Sequence, residues 1–240
     1  MTNFMEKNIK TIAITAAFGL VVGLAFTIYH YRQASHETKL QEQFFVIDVK
    51  IKKMKEDQFK ATQDAKQDSK ATDKTIAKTT ANTSPISIPE LQTELEAFVS
   101  TAQKTVAGQM AALELAQILI TENKPEVAAE WLTKTETGSS NLTNLLVRMK
   151  KGQALSLANK CADAIAVWDK VVADSNAQYL HIEAKVNQAL CYKNMNDLAK
   201  AEDVLLQIKK NSKNGEYSAE KNPDVEKVLR LIQFQKNAGI

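Results

Sequence analysis

Few side chains in this sequence have the type and spacing that catalysis needs. The three histidines are isolated, with His30 and His36 beside an apolar stretch and His181 far from both. The acidic residues are spread along stretches predicted to be helical. A solvent-exposed helix face explains this distribution better than a pair of carboxylates for acid–base catalysis. The chain has no H-E-x-x-H, G-x-S-x-G or phosphate-loop motif. The sequence therefore predicts no catalytic residues, and we expect that the protein is not an enzyme.

The two cysteines give equally little reason to expect a cofactor. Cys161 and Cys191 are 30 residues apart, with no C-x-x-C motif and no histidine pair nearby. Zinc binding has little support from this spacing, so we expect neither a metal nor another cofactor. Two alternatives stay open for the pair, either two structural thiols or one disulfide. The net charge of +3, with no stretch that interleaves basic and aromatic residues, argues against nucleic acid as a partner.

The composition indicates helices throughout. Only 7 of the 240 residues are glycine, so tight turns and glycine-lined loops are scarce. Alanine, leucine, lysine, glutamine and glutamate abound, and these residues lose little side-chain freedom in a helix. We therefore expect an all-α protein.

A membrane-spanning helix is predicted near the amino terminus. Residues 11–29 carry no charge, and 19 residues at about 1.5 Å each are long enough to cross a bilayer core. We place the transmembrane helix at residues 11–31, in contact with lipid, after a short cytoplasmic tail of residues 1–10. A cleaved signal peptide is the alternative. The positive charges on the two sides of the span are nearly balanced, so they do not determine its orientation. We expect the carboxyl-terminal domain to lie outside the cytoplasm because only a short tail precedes the span.

Two features near this span offer surfaces for self-association. Gly19 and Gly23 form a G-x-x-x-G pattern, at which two membrane helices could approach closely and form a homodimer. A juxtamembrane helix is predicted over residues 32–56, with an apolar seam at alternating spacings of four and three that comprises Leu40, Phe44, Ile47, Ile51 and Met54. The seam is short, so it predicts either self-association or packing on the next domain.

A polar, flexible linker is predicted over residues 57–87. Large apolar side chains nearly vanish there, and such a segment cannot bury enough surface to order itself. The sequence from Ser87 to Glu90 is then typical of a capping box, with Pro89 tolerated in the first turn. A folded domain of residues 88–240 is expected to begin at this helix.

Three degenerate helical hairpins are predicted within that domain. The small residues Ala128, Ala164 and Ala201 are separated by 36 and 37 positions, close to the 34-residue tetratricopeptide unit. Equivalent positions hold small residues on the first helices and asparagine in the turns, namely Ala116, Gly152 and Ala189, and Asn123, Asn159 and Asn196. A final helix from about Asn222 to Lys236 is expected to cover the last repeat. The predicted fold is an α-solenoid of about three hairpins with this capping helix.

This arrangement resembles the YfgM-like ancillary subunits of the SecYEG translocon. The most similar stretches are Tyr29 to Ser35 and Ala111 to Ala116. The resemblance implies a bacterial inner-membrane anchor, a periplasmic domain, and translocon subunits, periplasmic chaperones or exported clients as protein partners. The long polar linker departs from the family. An oligomeric cell-envelope scaffold and a secreted adaptor are the alternative functions.

The resemblance to tetratricopeptide proteins also implies a protein-binding groove lined by first helices. Carried over position by position, it points to Met110, Leu113, Gln117, Met149, Gln153, Val186, Leu190 and Asn194. This mixture of apolar and amide side chains, with flexible methionines, suits loose binding of varied sequences. The alternative interpretation is that half of these residues are core. Leu113 and Gln117 do not match the lysine and asparagine clamp that some family members use for chaperone tails.

Overall fold

The computed structural model describes residues 2–67, 87–211 and 223–238, and those parts of the chain contain helices and no strand. Side chains are described from residue 18 onwards, except at 58, 61–86 and 211–222. The prediction of an all-α protein is confirmed for this part of the chain. The α-helices are α1 (Thr2–Gln67), α2 (Ile88–Ala102), α3 (Val106–Thr121), α4 (Pro125–Thr135), α5 (Leu142–Leu157), α6 (Cys161–Val172), α7 (His181–Asn194), α8 (Leu198–Asn211) and α9 (Pro223–Ala238). A 3₁₀ helix, Ser175–Leu180, precedes α7.

The chain divides into two compact units, Met1–Gln43 and Phe44–Ile240. In the first unit the large apolar side chains from Phe18 to Tyr31 are at least half exposed on every face of α1. A side chain at Gly19 or Gly23 would meet no atom within 4 Å. In the described residues, no helix is both long and apolar enough to span a membrane. The side chains of residues 11–17, the first part of the predicted span, lie outside the described part.

Helix α1 continues beyond the point at which the polar linker was expected to begin. Its last residue is Gln67, so residues 57–67 of the predicted linker are helical. Lysine, glutamine and alanine dominate this stretch, and no glycine or proline interrupts it. Polar helix-forming residues therefore extend α1 without an apolar face. The remaining predicted linker residues, 68–86, lie outside the described part of the chain.

The second unit contains the end of α1, which pairs with α2. The Phe44 and Phe98 rings lie 6.0 Å apart, and Lys50 Nζ is 2.6 Å from Glu94 Oε1. From the first contact to the second, the residue number increases on α1, from 44 to 50, and decreases on α2, from 98 to 94. The two helices are therefore antiparallel. The apolar seam of α1 therefore packs on the next domain, because Phe44, Ile47 and Ile51 are buried within one chain and Met54 is half-buried. This pair adds a helical hairpin to the three that were predicted.

The first turn of α2 confirms the predicted capping box. The Ser87 hydroxyl accepts a hydrogen bond from the Glu90 amide, and the Ser87 amide donates to Glu90 Oε2. The helix ends at Ala102. Gly108 lies inside α3, where a Cβ would collide with the Ala102 carbonyl. Absence of a side chain at Gly108 lets α2 and α3 approach closely.

The three predicted hairpins are α3–α4, α5–α6 and α7–α8. All six small residues at the predicted helix crossings are buried. At one of these crossings, a Cβ on Gly152 would overlap the indole of Trp168. The turn residues Asn123, Asn159 and Asn196 have φ angles of 60°, 59° and 62°. The predicted left-handed asparagine turn is therefore confirmed in each hairpin.

Successive hairpins are joined by connections that differ from one another. Between α4 and α5, the buried Asn144 side chain bonds the backbone of Thr137 and Ser139 and accepts from Gln109. Between α6 and α7, Cys161 and Cys191 form a disulfide with a Cα–Cα distance of 5.2 Å. Of the two alternatives for this pair, the structure shows the disulfide. Helix α9 packs on α7 and α8 through its buried face, which comprises Val225, Val228, Leu229 and Ile232.

A groove lined by the first helices

The first helices of the three hairpins, α3, α5 and α7, line two adjoining depressions within the second unit. The first has a volume of about 510 Å³ and is lined by Lys55, Leu113, Glu114, Gln117, Leu146, Met149, Lys150, Gln153, Glu183 and Asn187. The second, of about 630 Å³, is lined by Glu183, Val186, Asn187, Leu190, Asp224, Lys227, Val228 and Leu231. The two depressions are adjacent, because Glu183 and Asn187 line both, and together they extend from Lys55 of α1 to α9. The two depressions together are called the groove.

The lining residues on α3, α5 and α7 occupy four equivalent positions of the repeat. A shift of 36 residues relates a position on α3 to its equivalent on α5, and a shift of 37 residues relates α5 to α7. The resulting rows are Leu113, Met149 and Val186; Glu114, Lys150 and Asn187; Gln117, Gln153 and Leu190; and Met110, Leu146 and Glu183, of which Met110 alone lines neither depression. The repeat that builds the fold therefore also builds the groove, and one row is wholly apolar.

The floor of the groove is continuous with the hydrophobic core. Met149 is buried and packs in a core cluster with Leu145 and Trp168, yet it also lines the first depression. Val186 has the same double role in the second depression. Leu146 stands beside Met149 with 38% of its surface exposed. A ligand in the groove would therefore meet an apolar surface that tight packing holds in place.

A lysine occupies the centre of the first depression. Lys150 Nζ donates to Gln117 Oε1 at 2.8 Å and to Gln153 Oε1 at 3.1 Å, so it links α3 to α5. Partial burial lowers the pKa of Lys150 by disfavouring its charged form, and the nearby carboxylates of Glu114 and Glu183 oppose that effect. The ammonium group thus holds two side-chain amides in a fixed position.

The charges that line the first depression balance. Lys55 Nζ lies 2.8 Å from Glu114 Oε2 at the end formed by α1. Lys150 and Glu183 add one charge of each sign. A ligand with a strong net charge of either sign would gain little from this arrangement. The charges that line the depression therefore favour neither an anionic nor a cationic ligand.

Six of the eight residues that were predicted for the protein-binding groove line these depressions. Leu113, Gln117, Met149 and Gln153 line the first, whereas Val186 and Leu190 line the second. The other two, Met110 near the start of α3 and Asn194 at the end of α7, are exposed and line neither depression. The role of all eight residues in binding stays a prediction.

Sequence reasoning missed three central residues of the groove, namely Leu146, Lys150 and Asn187. The repeat offset would have found Leu146, because it is equivalent to the predicted Met110. Lys150 and Asn187 are equivalent to Glu114, which was not predicted either, so the offset gave no signal for them. The described residues include no group of three or more histidine, cysteine, aspartate or glutamate side chains placed to hold a metal ion.

Comparison with known proteins agrees with the observed fold. A family described as the tetratricopeptide repeat-like domain matches residues 2–191. That range extends from α1 into α7 and so includes the pair formed by α1 and α2 as well as the first two predicted hairpins. No curated protein and no solved structure matches the chain.

Proposed function

The chain belongs to the tetratricopeptide repeat-like domain family, a class of protein–protein interaction module, and we propose that its groove binds an extended segment of a partner polypeptide. The observation that carries this proposal is that equivalent residues of α3, α5 and α7 line two adjacent depressions. Equivalent residues recur at regular intervals from α3 to α5 to α7, and the side chains of an extended peptide also recur at regular intervals, so the two can contact each other repeatedly. Apolar and amide side chains then supply contact without strict sequence selection.

The proposed location is the bacterial inner membrane, with the amino terminus in the cytoplasm and the repeat domain in the periplasm. Two observations support it. The stretch from Phe18 to Tyr31 exposes large apolar side chains on every face of α1, which is typical of a helix in lipid rather than in water. The Cys161–Cys191 disulfide fits an oxidising compartment such as the periplasm.

Within that location, we propose that the protein is an accessory of the Sec translocon that assists exported proteins or their chaperones. The sequence resemblance at Tyr29 to Ser35 and at Ala111 to Ala116 supports this role. An oligomeric envelope scaffold is the second candidate. Burial of Phe44, Ile47 and Ile51 against the chain's own helices argues against it, because that part of the seam is not free to pair with a second copy.

In-cell photo-crosslinking tests both the groove and the location. Probes would replace Leu20 in the apolar stretch, Phe45 on the exposed side of α1, and Leu146 and Asn187 in the groove. A probe at the exposed Glu130 of α4, which lines neither depression, is the matched control. We expect translocon subunits at Leu20 or Phe45, and exported proteins or chaperones at the groove positions but not at Glu130. If the probes at Leu20 and Phe45 crosslink only to a second copy of the chain, and the groove probes capture no protein, the oligomeric scaffold is favoured.

A further inference from the structure

The contacts of Lys150 fix which way two glutamines face. An ammonium group has hydrogen-bond donors and no acceptor, so Gln117 and Gln153 must each turn the amide oxygen toward it. Both amide NH₂ groups are consequently turned away from Lys150. In the described part of the chain, Gln117 Nε2 makes only a long contact of 3.5 Å, to Thr121 Oγ1. The depression thus contains a pair of oriented donors.

The spacing of these donors suits an extended backbone. Since both amide oxygens lie close to the same Nζ atom, they are no more than about 6 Å apart. In an extended chain, residues two apart turn the same way and are separated by about 6.6 Å. Each NH₂ group is attached to the same amide carbon as its oxygen, so the spacing of the two donors is of the same order as the spacing of alternate carbonyl oxygens on one edge of a strand. An α-helix would not serve, because its carbonyls are already bonded within the helix.

We propose that Gln117 and Gln153, oriented by Lys150, donate hydrogen bonds to alternate backbone carbonyls of a bound extended polypeptide. This inference rests on the proposed function and deepens it. The aliphatic side chains of the same segment contact the floor formed by Leu113, Leu146 and Met149. The balanced charges of the depression match a segment of low net charge. The partner is thus an unfolded or extended stretch, rich in aliphatic residues, that is recognised by its backbone and not by a particular sequence.

The test measures binding of a defined peptide to the full chain purified in detergent. The probe is a fluorescein-labelled, end-blocked decapeptide of alternating leucine and serine, with affinity read from fluorescence anisotropy. A series of analogues replaces one backbone amide at a time with an ester, which weakens that carbonyl as an acceptor and leaves the side chains unchanged. We expect the ester to weaken binding at alternate positions near the centre of the peptide.

Variants then link the backbone effect to the two glutamines. We expect Gln117→Leu/Gln153→Leu to lose about tenfold in affinity, the loss of two modest hydrogen bonds, and to become insensitive to the ester series. The matched control is Gln103→Leu/Gln207→Leu, which changes two exposed glutamines outside both depressions and should bind as the wild type does. Circular dichroism would establish that each variant is folded.

The positioning role of Lys150 needs a separate readout. Lys150→Met should lose about threefold in affinity and the sensitivity to the ester series, whereas Lys150→Arg, which keeps donors for both amide oxygens, should restore both. If Leu146→Asp abolishes binding while the glutamine variants bind normally, the groove is used but the carbonyl contacts are wrong. If the wild type does not bind the peptide, or if Leu146→Asp binds it equally well, both this inference and the proposed function are wrong.

Discussion

The residues that hold the two helices of a hairpin together differ in kind from the residues that hold neighbouring hairpins together. Within the hairpins α3–α4, α5–α6 and α7–α8, the same two features recur: small residues at the helix crossing and an asparagine with positive φ in the turn. Between hairpins no device recurs. The α4–α5 connection depends on the buried Asn144 side chain, whereas the α6–α7 connection depends on a disulfide and a 3₁₀ helix. The repeated unit is therefore the hairpin, and each junction is individual.

This difference has a physical basis. The crossing and the turn must satisfy the same backbone geometry in every hairpin, so the same residue types are selected each time. A junction must only hold two hairpins together, and polar bonds, ion pairs or a covalent link can all do so. Four experiments test whether the junctions contribute as much stability as the repeated elements.

The largest effect is expected at the α6–α7 junction. The Cys161–Cys191 disulfide closes a loop with a sequence separation of 30, and reducing it should lower the free energy of unfolding by about 3 kcal/mol. Urea unfolding with and without a thiol reductant measures this change. Cys161→Ala/Cys191→Ala serves as the control, since it should be unaffected by the reductant. If the reductant changes the unfolding free energy of the wild type and of the double alanine variant equally, the disulfide does not stabilise the junction.

A crossing inside a hairpin should come next. In Gly152→Ala the new methyl group would overlap the Trp168 indole, and either the ring or the backbone must shift. We expect a loss of about 2 kcal/mol in unfolding free energy. Gly138→Ala is the control, because a Cβ there meets no atom within 4 Å and should change stability little. A tolerated Gly152→Ala would mean that the crossing is looser than the structure indicates.

The hairpin turn should show a smaller effect. Asn159 has φ of 59°, and Asn159→Ala should lose about 1 kcal/mol because alanine tolerates left-handed backbone less well. Asn159→Gly, which has no Cβ, should lose less or nothing. Thermal unfolding of the two variants gives the comparison. If glycine proves worse than alanine, the asparagine side chain matters more than the backbone conformation.

The smallest effect is expected from pH at the α4–α5 junction. Burial would raise the pKa of Glu136, but hydrogen bonds and charge from Lys151 and Arg148 outweigh it and hold the pKa below its ordinary value. The stabilisation is complete above the unfolded pKa of about 4.3 and is lost as the pH falls through the lower native pKa. Urea midpoints between pH 6 and pH 3 should therefore fall less steeply for Glu136→Gln than for the wild type. Glu130→Gln should match the wild type.

The recurring devices are the part of the fold that the sequence could predict. Asn123, Asn159 and Asn196 stand at one position of the repeat, and asparagine at a regular offset indicates a turn because few residue types tolerate positive φ. The capping box at Ser87 was equally predictable, because both of its partners lie within one turn. Local rules decide these features, and they need no knowledge of distant contacts.

The individual features could not be predicted in the same way. The pairing of α1 with α2 joins Phe44 to Phe98 across a long separation in sequence, and the seam alone was equally compatible with a second copy of the chain. Lys150 in the groove was missed because helix rotation cannot be judged from one charged residue among many. The disulfide was left open because spacing does not determine whether two cysteines meet.

The link between Cys161 and Cys191 also limits how the array can come apart. Arrays of stacked helices tend to open from their ends, because a terminal unit has a neighbour on one side only. Fraying from the carboxyl terminus could release α9 and α8, but it would stop at Cys191, near the end of α7, while the bond to α6 is intact. Helices α3, α5 and α7 would then stay together while α8 and α9 opened, and a segment bound along these three helices would not be lost each time.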